Sequence, residues 1–438
     1  MSIIDSQEFE ARRQRLLKSL DLESLLIVAA GPVCLRNNDI EYAYRQDSDF
    51  YYLTGFAEPE AVAVFAPGGV MGDYVLFVRE KDLQAEKWAG ARAGLQGACE
   101  VYGADTAFAL QDLAKKLPAL LNGRRTVYYP YGRYAFLDRE VKEAIQTVRY
   151  KTRAPKKVPE TIMPIDSLLH EMRLLKSPAE IATMRRAAEI SAAAHQRAMR
   201  VCKPGLYEYA LEAEFIYEFT KHGCKAPAYN TIVGGGANAC VLHYVENNQL
   251  LENDQLVLID AGAEYDYYAA DITRTFPING CFNAEQRVLY EIVLNAQTAA
   301  IAEIKPGLRF DKLQTKVIEV LTEGLIECGL LKGQRDSLIA HKAYQDFYFH
   351  NCSHWLGMDV HDVGGNYKNG QVRCLEPNMV LTIEPGLYIA PDNMHVAPQW
   401  RGIGIRIEDD IVVTAEGYEI LSAAAPKTIA QIETLMAE

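Results

Sequence analysis

The chain has 438 residues, a formal net charge of -13 at pH 7 and a pI near 5.3. This length exceeds what one ordinary hydrophobic core fills, so two domains are expected. The acidic balance disfavours nucleic acid or an anionic membrane surface as a partner. A hydrophobic content of 49% is typical of a soluble globular protein.

The N-terminal stretch and the cysteines indicate the compartment. The first residues, MSIIDSQEFEARRQRL, lack the basic-then-apolar pattern of a signal peptide. The apolar run at residues 25–30 has the length of a strand and is far shorter than a membrane span. Nine cysteines without a CxxC pair argue against a disulfide framework or a thiolate metal site. We therefore expect a cytoplasmic protein that does not bind membranes.

The first part of the chain alternates between two kinds of pattern. Short β-rich runs alternate with helical stretches, as in an α/β domain. Strands are predicted at residues 25–30, 62–65, 74–77 and 126–129, and helices at residues 9–20, 107–117 and 139–144. We assign this α/β domain to residues 1–170.

A second domain is predicted for residues 171–438. A basic, proline-bearing stretch at residues 151–159 indicates a loop before it. Ser177, Pro178 and Glu180 then form the pattern of an N-cap, an N1 proline and a capping box, which predicts the start of a strong helix.

Two pairs of similar segments in this second part indicate an internal duplication. Helical stretches end at Lys203-Pro204-Gly205-Leu206 and again at KPGL in residues 305–308. LENDQLVLIDAG (251–262) also resembles LEPNMVLTIEPG (375–386) at a constant offset that places Asp260 on Glu384. We expect two related α+β halves around a pseudo-twofold axis, with acidic residues from equivalent strands meeting between them.

Acidic residues mark a hairpin in LVLIDAGAEYDYYAADITRTF. If its turn centres on residues 265–266, Asp260 and Asp271 pair directly across the strands, with Cβ atoms about 4.5–5.5 Å apart. Two carboxylates so close repel one another unless a cation lies between them. The alternative is that each aspartate only flanks a turn.

A second acidic strand is predicted near residues 404–413, GIRIEDDIVV. Alternation places Arg406 and Glu408 on one face and two isoleucines on the other. The alternative is an edge strand with one solvated face. Glu384 ends another predicted strand, because Pro385 favours an extended residue before it and cannot continue the ladder.

Three histidines fall within twelve residues in HNCSHWLGMDVHDVG: His350, His354 and His361. The segment is not HExxH, because Asn351 stands where that motif has its glutamate. His243, in CVLHY, completes a candidate set. A single histidine is more often structural than a ligand, and we expect the other five to be structural: His170, His195, His222, His341 and His395.

Together these motifs resemble the aminopeptidase P family of metallopeptidases. The resemblance runs along nearly the whole chain, in RNNDIEYAYRQDSDFYYLTGF (36–56), HEMRLLKSPAEI (170–181), YNTIVGGGANACVLHY (229–244), VLIDAGAEYDYYAADITRTFPING (257–280), HNCSHWLGMDVHDVG (350–364), LTIEPGLYIAP (381–391) and RGIGIRIEDDIVVT (401–414). It implies an α/β N-terminal domain followed by a duplicated, pseudo-twofold α+β catalytic domain with the pita-bread fold.

The resemblance also implies roles for individual residues. Two divalent metal ions would be held by Asp260, Asp271, His354, Glu384 and Glu408, with Asp271 and Glu408 touching both. His243 and His361 match catalytic histidines, and His350, Tyr388 and Arg406 match positions near the pocket for proline. Asp39 and Trp88 match N-terminal positions that reach a neighbouring subunit's site. Gly235-Gly236-Ala237 and Asn351-Cys352, beside the ligand positions, are places where members of the family can vary, which leaves the pocket shape open.

The donor chemistry agrees with a two-metal site. Four ionised carboxylates carry four negative charges, which two divalent ions neutralise. Oxygen-rich donors without a thiolate favour Mn²⁺, with Co²⁺ or Zn²⁺ as substitutes. The implied reaction is hydrolysis of the bond between an N-terminal residue and a penultimate proline by a metal-bridging hydroxide, with Glu384 as proton shuttle. Peptides with proline in second position are therefore the expected partners.

Two other functions remain open from the sequence. A prolidase, which hydrolyses only Xaa-Pro dipeptides, shares the fold and the ligands, and Arg406 could clamp the free carboxylate of a dipeptide. A binding module that has lost its metals would lack ligands, whereas all five are present. The resemblance further implies a homo-oligomer, a dimer or a homotetramer, with Trp88 at a neighbour's active-site mouth; the alternative is that Trp88 packs inside its own domain.

Overall fold

A computed structural model describes residues 4–150 and 158–438 of the chain. It divides into two compact units between Met172 and Arg173, close to the boundary expected after residue 170. The predicted loop at residues 151–159 lies mostly outside the described residues. None of the described helices is long and apolar enough to cross a membrane. All nine cysteines are described, and all are free thiols.

The N-terminal unit is an α/β domain around one mixed six-stranded sheet, in the order β6-β5-β4-β1-β7-β8. A separate short hairpin, β2–β3, is exposed along its length. The helices are α1 Ser6–Ser19, α2 Ser48–Thr54, α3 Leu83–Ala89, α4 Gly94–Glu100, α5 Leu113–Leu121 and α6 Ala135–Tyr150. The strands are β1 Ser24–Ala29, β2 Leu35–Asn37, β3 Ile40–Glu41, β4 Val62–Phe65, β5 Tyr74–Val78, β6 Thr106–Ala109, β7 Thr126–Tyr128 and β8 Thr161–Met163.

The core of this unit forms where the sheet packs against α5 and α6. Central strands such as β4 and β5 are buried at every residue, which explains why they are continuous apolar runs without alternation. The predicted helix over residues 107–117 is wrong at its start. Residues Thr106–Ala109 form β6, paired in parallel with β5, and the helix begins only at Leu113. Pairing with a buried neighbouring strand outweighs the helix propensity of this alanine- and leucine-rich segment.

The C-terminal unit is α+β. Its helices are α7 Glu171–Leu174, which spans the boundary, α8 Pro178–Val201, α9 Glu208–Lys221, α10 Ala284–Glu303, α11 Asp311–Glu327, α12 Arg335–Ala340 and α13 Ile429–Met436. Its strands are β9 Ile232–Gly235, β10 Leu256–Asp260, β11 Glu264–Tyr265, β12 Tyr268–Ala269, β13 Thr273–Pro277, β14 Tyr367–Lys368, β15 Gln371–Val372, β16 Val380–Ile383, β17 Gly386–Ile389, β18 Ile403–Arg406, β19 Asp409–Val413 and β20 Tyr418–Ile420. They form two three-stranded sheets, β13-β10-β9 and β16-β19-β20, and shorter pairs.

The capping box predicted for the first long helix is present in α8. The Ser177 side chain accepts a hydrogen bond from the backbone N–H of Glu180, and the Glu180 carboxylate accepts one from the backbone N–H of Ser177. Pro178 occupies the first helical turn, where a missing N–H costs nothing.

The internal duplication is confirmed by repeated backbone hydrogen bonds. In the first half, Gly205 donates its backbone N–H to the carbonyl of Leu251 at 2.9 Å. In the second half, Gly307 donates to the carbonyl of Leu375 at 2.8 Å. The two glycines have φ values of 89° and 87°, in the left-handed region that favours glycine. Each half thus consists of a helix pair followed by a three-stranded sheet.

The register of the acidic hairpin differs from the prediction. Its turn lies at Asp266–Tyr267, both with positive φ, one residue later than expected. Asp260 therefore pairs with Thr273, and Asp271 lies diagonally across from Asp260. A shift of two positions in one strand keeps both side chains on the same face, so the carboxylates still converge.

The single strand expected at residues 404–413 is in fact two. β18 ends at Arg406 and pairs with β17, whereas β19 begins at Asp409 and pairs with β16. At the junction, the backbone N–H of Glu408 donates to the carbonyl of Thr273, at 3.1 Å. The chain changes sheets here, and so Glu408 is directed toward the hairpin of the other half. Ile405 and Ile407 are fully buried on the opposite face, as alternation predicted.

Candidate metal centre and active site

A cavity of about 360 Å³ lies where the two halves of the C-terminal unit meet. It collects nine of the ten predicted site residues that belong to this unit, together with Leu242, Asn351 and Ser353. Its lining residues are Leu242, His243, Asp260, Asp271, His350, Asn351, Ser353, His354, His361, Glu384, Arg406 and Glu408.

 The tenth predicted residue, Tyr388, is not among the lining residues. The structure therefore brings the sequence-predicted set together.

Three groups form the tightest cluster. One ligand atom from each of Asp271, His354 and Glu408 lies within 4.8 Å of the others. His354 Nε2 is 3.4 Å from Asp271 Oδ2 and 3.5 Å from Glu384 Oε1. Donor atoms at such spacings surround a volume that one small cation can fill.

The fourth carboxylate, Asp260, is held from two sides. Arg406 Nη2 donates to Asp260 Oδ2 at 2.7 Å. The Tyr229 hydroxyl lies 2.5 Å from Asp260 Oδ1 and 2.6 Å from Asp271 Oδ1, so it bridges the two aspartates of the hairpin. Because a hydroxyl carries one proton, it can donate to only one of these oxygens at a time.

Threonines next to the acidic residues orient the remaining carboxylates. Thr273 Oγ1 donates to Glu408 Oε2 at 2.6 Å. A threonine of the first half therefore orients a glutamate of the second half. Thr382 Oγ1 accepts from the backbone N–H of His354 at 3.2 Å and lies 3.5 Å from Glu384 Oε1. These contacts reduce the rotamer freedom of the acids before any ligand arrives.

The electrostatics of the cluster indicate missing positive charge. Burial raises the pKa of Glu384 to about 7, and the negative charges of Asp271 and Asp260 add to this against His354 and Arg406. Burial, together with the neighbouring carboxylates, also raises the pKa of Glu408 well above its ordinary value. Burial alone would lower the pKa of His354, but its hydrogen bond to Asp271 and the nearby carboxylates raise it to about 9.

The residues present fit divalent metal ions. Four buried or half-buried carboxylates and one imidazole converge without a thiolate, which is a hard, oxygen-rich donor set. Arg406 is ion-paired with Asp260, and His354 lies beside Asp271 and Glu384, so at most two cationic side chains face four carboxylates. A cluster of like charges of this kind is stable near neutral pH only if protons or cations occupy it.

The other histidines lie around the acidic cluster. His361 stacks edge-to-face on His354, with ring centroids 4.5 Å apart, and burial lowers its pKa. His243 is an exposed residue of the loop between β9 and β10 that lines the cavity. His350 Nε2 lies 2.9 Å from the Tyr388 hydroxyl, and burial lowers its pKa to about 4. His350 and His361 are therefore expected to be neutral near pH 7.

Arg406 is buried and donates three side-chain hydrogen bonds inside the protein. Its Nε, Nη1 and Nη2 atoms donate to Thr273 Oγ1, to the Tyr388 hydroxyl and to Asp260 Oδ2, at 3.1, 3.1 and 2.7 Å. Only 4% of the residue is exposed. Three of its five N–H groups thus bind the wall behind Asp260, and the residue also lines the cavity.

Two site residues were missed by the sequence analysis. Tyr229 bridges the aspartates, and its only signal was its position at the start of the motif YNTIVGGGANACVLHY. Asp410, two residues after Glu408, accepts the backbone N–H of Asp271 with both carboxylate oxygens at 3.2 Å. Asp410 was not predicted because it stands in a run of acidic residues. The local sequence does not distinguish a carboxylate that supports a ligand from one that binds the metal.

Asp39 and Trp88 belong to the N-terminal unit. Trp88, in α3, is 92% exposed, so the interpretation that it packs inside its own domain is wrong. Asp39 is exposed in the turn between β2 and β3. The cavity of the C-terminal unit is built without either residue.

A duplicated α+β unit with a carboxylate-rich cavity between its halves defines the class of a metal-dependent hydrolase. Comparison with known proteins agrees. Residues 182–415 match the model of metallopeptidase family M24, and residues 9–128 match the aminopeptidase P N-terminal domain. The chain belongs to the aminopeptidase P group of metallopeptidase family M24, and its catalytic unit has the pita-bread fold, as predicted.

The similarity covers whole chains. A protein named Xaa-Pro aminopeptidase from Escherichia coli is 49% identical over 437 residues, covering 100% of this chain and 99% of the relative. Human Xaa-Pro aminopeptidase 3 is 34% identical, covering 98% of this chain and 86% of its own length. The solved structure of Pseudomonas aeruginosa aminopeptidase PepP is 52% identical with a TM-score of 0.98, covering 100% of this chain and 99% of that one.

A zinc-substituted E. coli aminopeptidase P, solved in complex with product, is also similar. It is 48% identical with a TM-score of 0.96, covering 99% of this chain and 98% of that chain.

Proposed function

We propose that this chain is a Xaa-Pro aminopeptidase, which releases the first residue of a peptide whose second residue is proline. The observation that carries the proposal is the convergence of four carboxylates and His354 in one cavity of an M24 catalytic unit. Full-length relatives with the same domain pair are named Xaa-Pro aminopeptidases. A metal-free binding function is disfavoured, because the whole acidic set is retained.

The residues that would hold the metal are Asp260, Asp271, His354, Glu384 and Glu408. Two divalent ions match the charge of the four carboxylates, and Mn²⁺ suits the oxygen-rich donors, with Co²⁺ or Zn²⁺ as substitutes. When bound, such ions lower the pKa of a water and polarise the scissile carbonyl. The close approach of Asp271 and Glu408 supports their shared use by both ions.

The residues of the chain supply proton transfer and charge stabilisation. Glu384 would take the proton of the attacking water and pass it to the proline nitrogen as the C–N bond breaks. His243 and His361, at the cavity wall, would donate N–H groups to the carbonyl oxygen as negative charge develops there. His350 and Tyr388 form a hydrogen-bonded aromatic wall against which a proline ring could pack.

The dipeptidase alternative loses support from Arg406. A prolidase needs a cation free to clamp the carboxylate next to proline, and Arg406 was the candidate. Its guanidinium lines the cavity but already donates to three internal partners, one of which is the carboxylate of Asp260. A guanidinium that is paired with a carboxylate binds a second one less well, which favours longer peptides, in which the proline has no free carboxylate.

A homo-oligomer in the cytoplasm, with a tetramer as the expected form, remains part of the proposal. A tryptophan that is 92% exposed is unusual on a free surface and typical of an interface. Trp88 on α3 and Asp39 on the β2–β3 turn would then lie at a neighbouring subunit's active-site mouth. Light scattering at working concentration tests this: a monomer mass with full activity would contradict it.

The decisive experiment compares the dipeptide Ala-Pro with the tripeptide Ala-Pro-Ala under added Mn²⁺. Cleavage of the tripeptide with little cleavage of the dipeptide is expected. Faster turnover of the dipeptide would promote the prolidase alternative. Metal analysis at saturation accompanies it, and one ion per chain instead of two would contradict the two-metal centre.

A further inference from the structure

A buried histidine outside the cavity joins the backbone of both aspartate-bearing strands. His195, in the middle of α8, is fully buried. Its Nε2 lies 3.0 Å from the carbonyl oxygen of Ile272 and 3.3 Å from that of Ala261. Carbonyls only accept, so Nε2 carries the proton and shares one N–H between them. Ala261 follows Asp260 and Ile272 follows Asp271 in the chain.

A buried glutamine has the same relation to the two glutamates. Gln297, in α10, is fully buried, and its Nε2 lies 3.3 Å from the carbonyl oxygen of Ile383 and 3.2 Å from that of Ile407. The same amide nitrogen also donates to Asp409 Oδ2 at 3.0 Å. Ile383 precedes Glu384, and Ile407 precedes Glu408. Lys427 Nζ donates to Gln297 Oε1 at 2.9 Å, which fixes the amide with its nitrogen toward the carbonyls.

The two residues occupy equivalent places in the duplicated domain. The KPGL turns that end the two helical stretches begin at Lys203 and Lys305. His195 precedes the first turn by the same number of residues as Gln297 precedes the second. Two different side chains at one position of the repeat thus perform one task, which is the donation of a buried N–H to a pair of carbonyls beside a pair of acids.

We propose that His195 and Gln297 are positioning residues for the metal centre, each holding one pair of acid-bearing strand segments at the spacing that divalent ions require. The proposal rests on the proposed metal-dependent function. Neither residue touches the cavity, and each acts through the backbone next to the acids.

The physical need arises from repulsion and irregular pairing. Asp260 and Asp271 repel one another, and Ala261–Ile272 is where the ladder of β10 and β13 ends. Glu384 directly follows β16, and Glu408 directly precedes β19. At both places the chain leaves one sheet for another. Strand ends are where segments can splay, so a donor shared by both carbonyls resists the separation that the like charges favour.

Burial keeps the imidazole of His195 in one protonation state. Burial, and then the nearby Arg274, lower the pKa of His195 to about 3, so the ring is neutral at working pH. It also packs edge-to-face on Phe215, with ring centroids 4.8 Å apart, which fixes its orientation.

The test uses donor deletion with matched shape. His195→Phe keeps a ring but removes the N–H, whereas His195→Gln restores a donor of the kind that the other half uses. Gln297→Met removes the donor of the second half. Thr183→Val is the matched control, because Thr183 is buried on the same α8 but its hydroxyl bonds only within the helix, to Ala179.

Two quantities are measured on chelator-treated full-length protein: the Mn²⁺ dissociation constant by calorimetry and local amide hydrogen exchange by mass spectrometry. We expect His195→Phe and Gln297→Met to weaken Mn²⁺ binding by about 10- to 100-fold, as supporting contacts of metal ligands typically do. Exchange should rise at residues 260–273 in the first variant and at residues 383–408 in the second. His195→Gln and Thr183→Val should stay close to the wild type.

Wild-type Mn²⁺ affinity and unchanged local exchange in folded His195→Phe and Gln297→Met would overturn the proposal. So would His195→Gln binding as weakly as His195→Phe, because the donor would then not be the active feature. If His195→Phe does not fold, Gln297→Met and His195→Gln decide. Should the wild type itself bind no Mn²⁺, the proposed function fails separately, and the local exchange alone supports or overturns the positioning role.

Discussion

The metal-free protein should lose stability as the pH rises from about 6.5 to 9, because its acidic cluster is held together by a proton on His354. That imidazole lies 3.4 Å from Asp271 Oδ2 and 3.5 Å from Glu384 Oε1. As imidazolium it supplies positive charge to the carboxylates. When it loses its proton, the buried acids face one another without that charge.

The sign and size follow from the two pKa values of His354. In the folded protein its pKa is about 9, against the ordinary 6.5. The resulting stabilisation is complete below the unfolded value and is lost as the pH rises through the folded value. Each pH unit between the two values is worth about 1.4 kcal/mol, so roughly 3 kcal/mol of unfolding free energy should disappear across this window.

Other titrating groups determine the pH range in which the stability loss caused by His354 can be seen. Burial lowers the pKa of His350 to about 4, so its contribution to stability rises with pH up to about 6.5. Glu384, with its pKa raised to about 7, opposes this over part of the same range. Below pH 6.5 the two effects offset one another, whereas above it His354 and the buried carboxyls act in one direction.

Urea unfolding of chelated protein between pH 6 and 9 measures the effect. The chain has three tryptophans, of which Trp355 and Trp400 lie in the catalytic unit. In a Trp88→Phe background, fluorescence therefore reports the catalytic unit alone. Adding Mn²⁺ should reverse the trend, since ligand deprotonation favours metal binding and bound metal stabilises the folded state by mass action.

His354→Gln is the control, because it removes this titrating group and should make the pH dependence less steep, leaving only the part that the buried carboxyls contribute. A wild-type protein whose unfolding free energy stays constant from pH 6.5 to 9 would refute the reasoning. It would mean that the imidazole does not carry a proton between Asp271 and Glu384.

Three further outcomes are expected. Glu384→Gln should lower kcat by about 10²- to 10⁴-fold, because an amide cannot accept the proton of the water, and near wild-type kcat would remove Glu384 from the reaction. Tyr229→Phe should weaken Mn²⁺ binding by about 10- to 100-fold, since a hydrogen bond to a carboxylate is worth about 1.5–3 kcal/mol; calorimetry that shows unchanged affinity would contradict this. Ala-Pro-Ala should be cleaved about 10²- to 10⁴-fold faster than Ala-Ala-Ala in kcat/KM, because alanine lacks the ring and brings an additional N–H. Rates within about tenfold of one another would argue against a proline pocket.

Local patterns predict much of this protein. The capping box at Ser177 and Glu180, the buried runs of β4 and β5, and the repeated KPGL turns all depend on neighbours within a few residues, and all are present. The residue types of the acidic set were also readable, because hard metal ions require carboxylates and imidazole and the family motifs carry them in order.

Tertiary structure decided how those residues meet. The hairpin turn lies one residue later than expected, since Asp266 and Tyr267 adopt positive φ together, and this changed the partner of Asp260 from Asp271 to Thr273. The strand at residues 106–109 exists because β5 offers it a parallel partner. Pairing energies of this kind come from segments distant in sequence, so no local window contains them.

The same reason explains the hidden residues of the site. Tyr229 bridges two aspartates, Arg406 is paired with Asp260, and His195, expected to be structural, lies against the carbonyls of both aspartate strands. The sequence shows which side chains can form hydrogen bonds, but it does not show which partners they contact in the folded protein. Only the packing of α8 and α10 on the two sheets determines which acceptors lie within reach of His195 and Gln297.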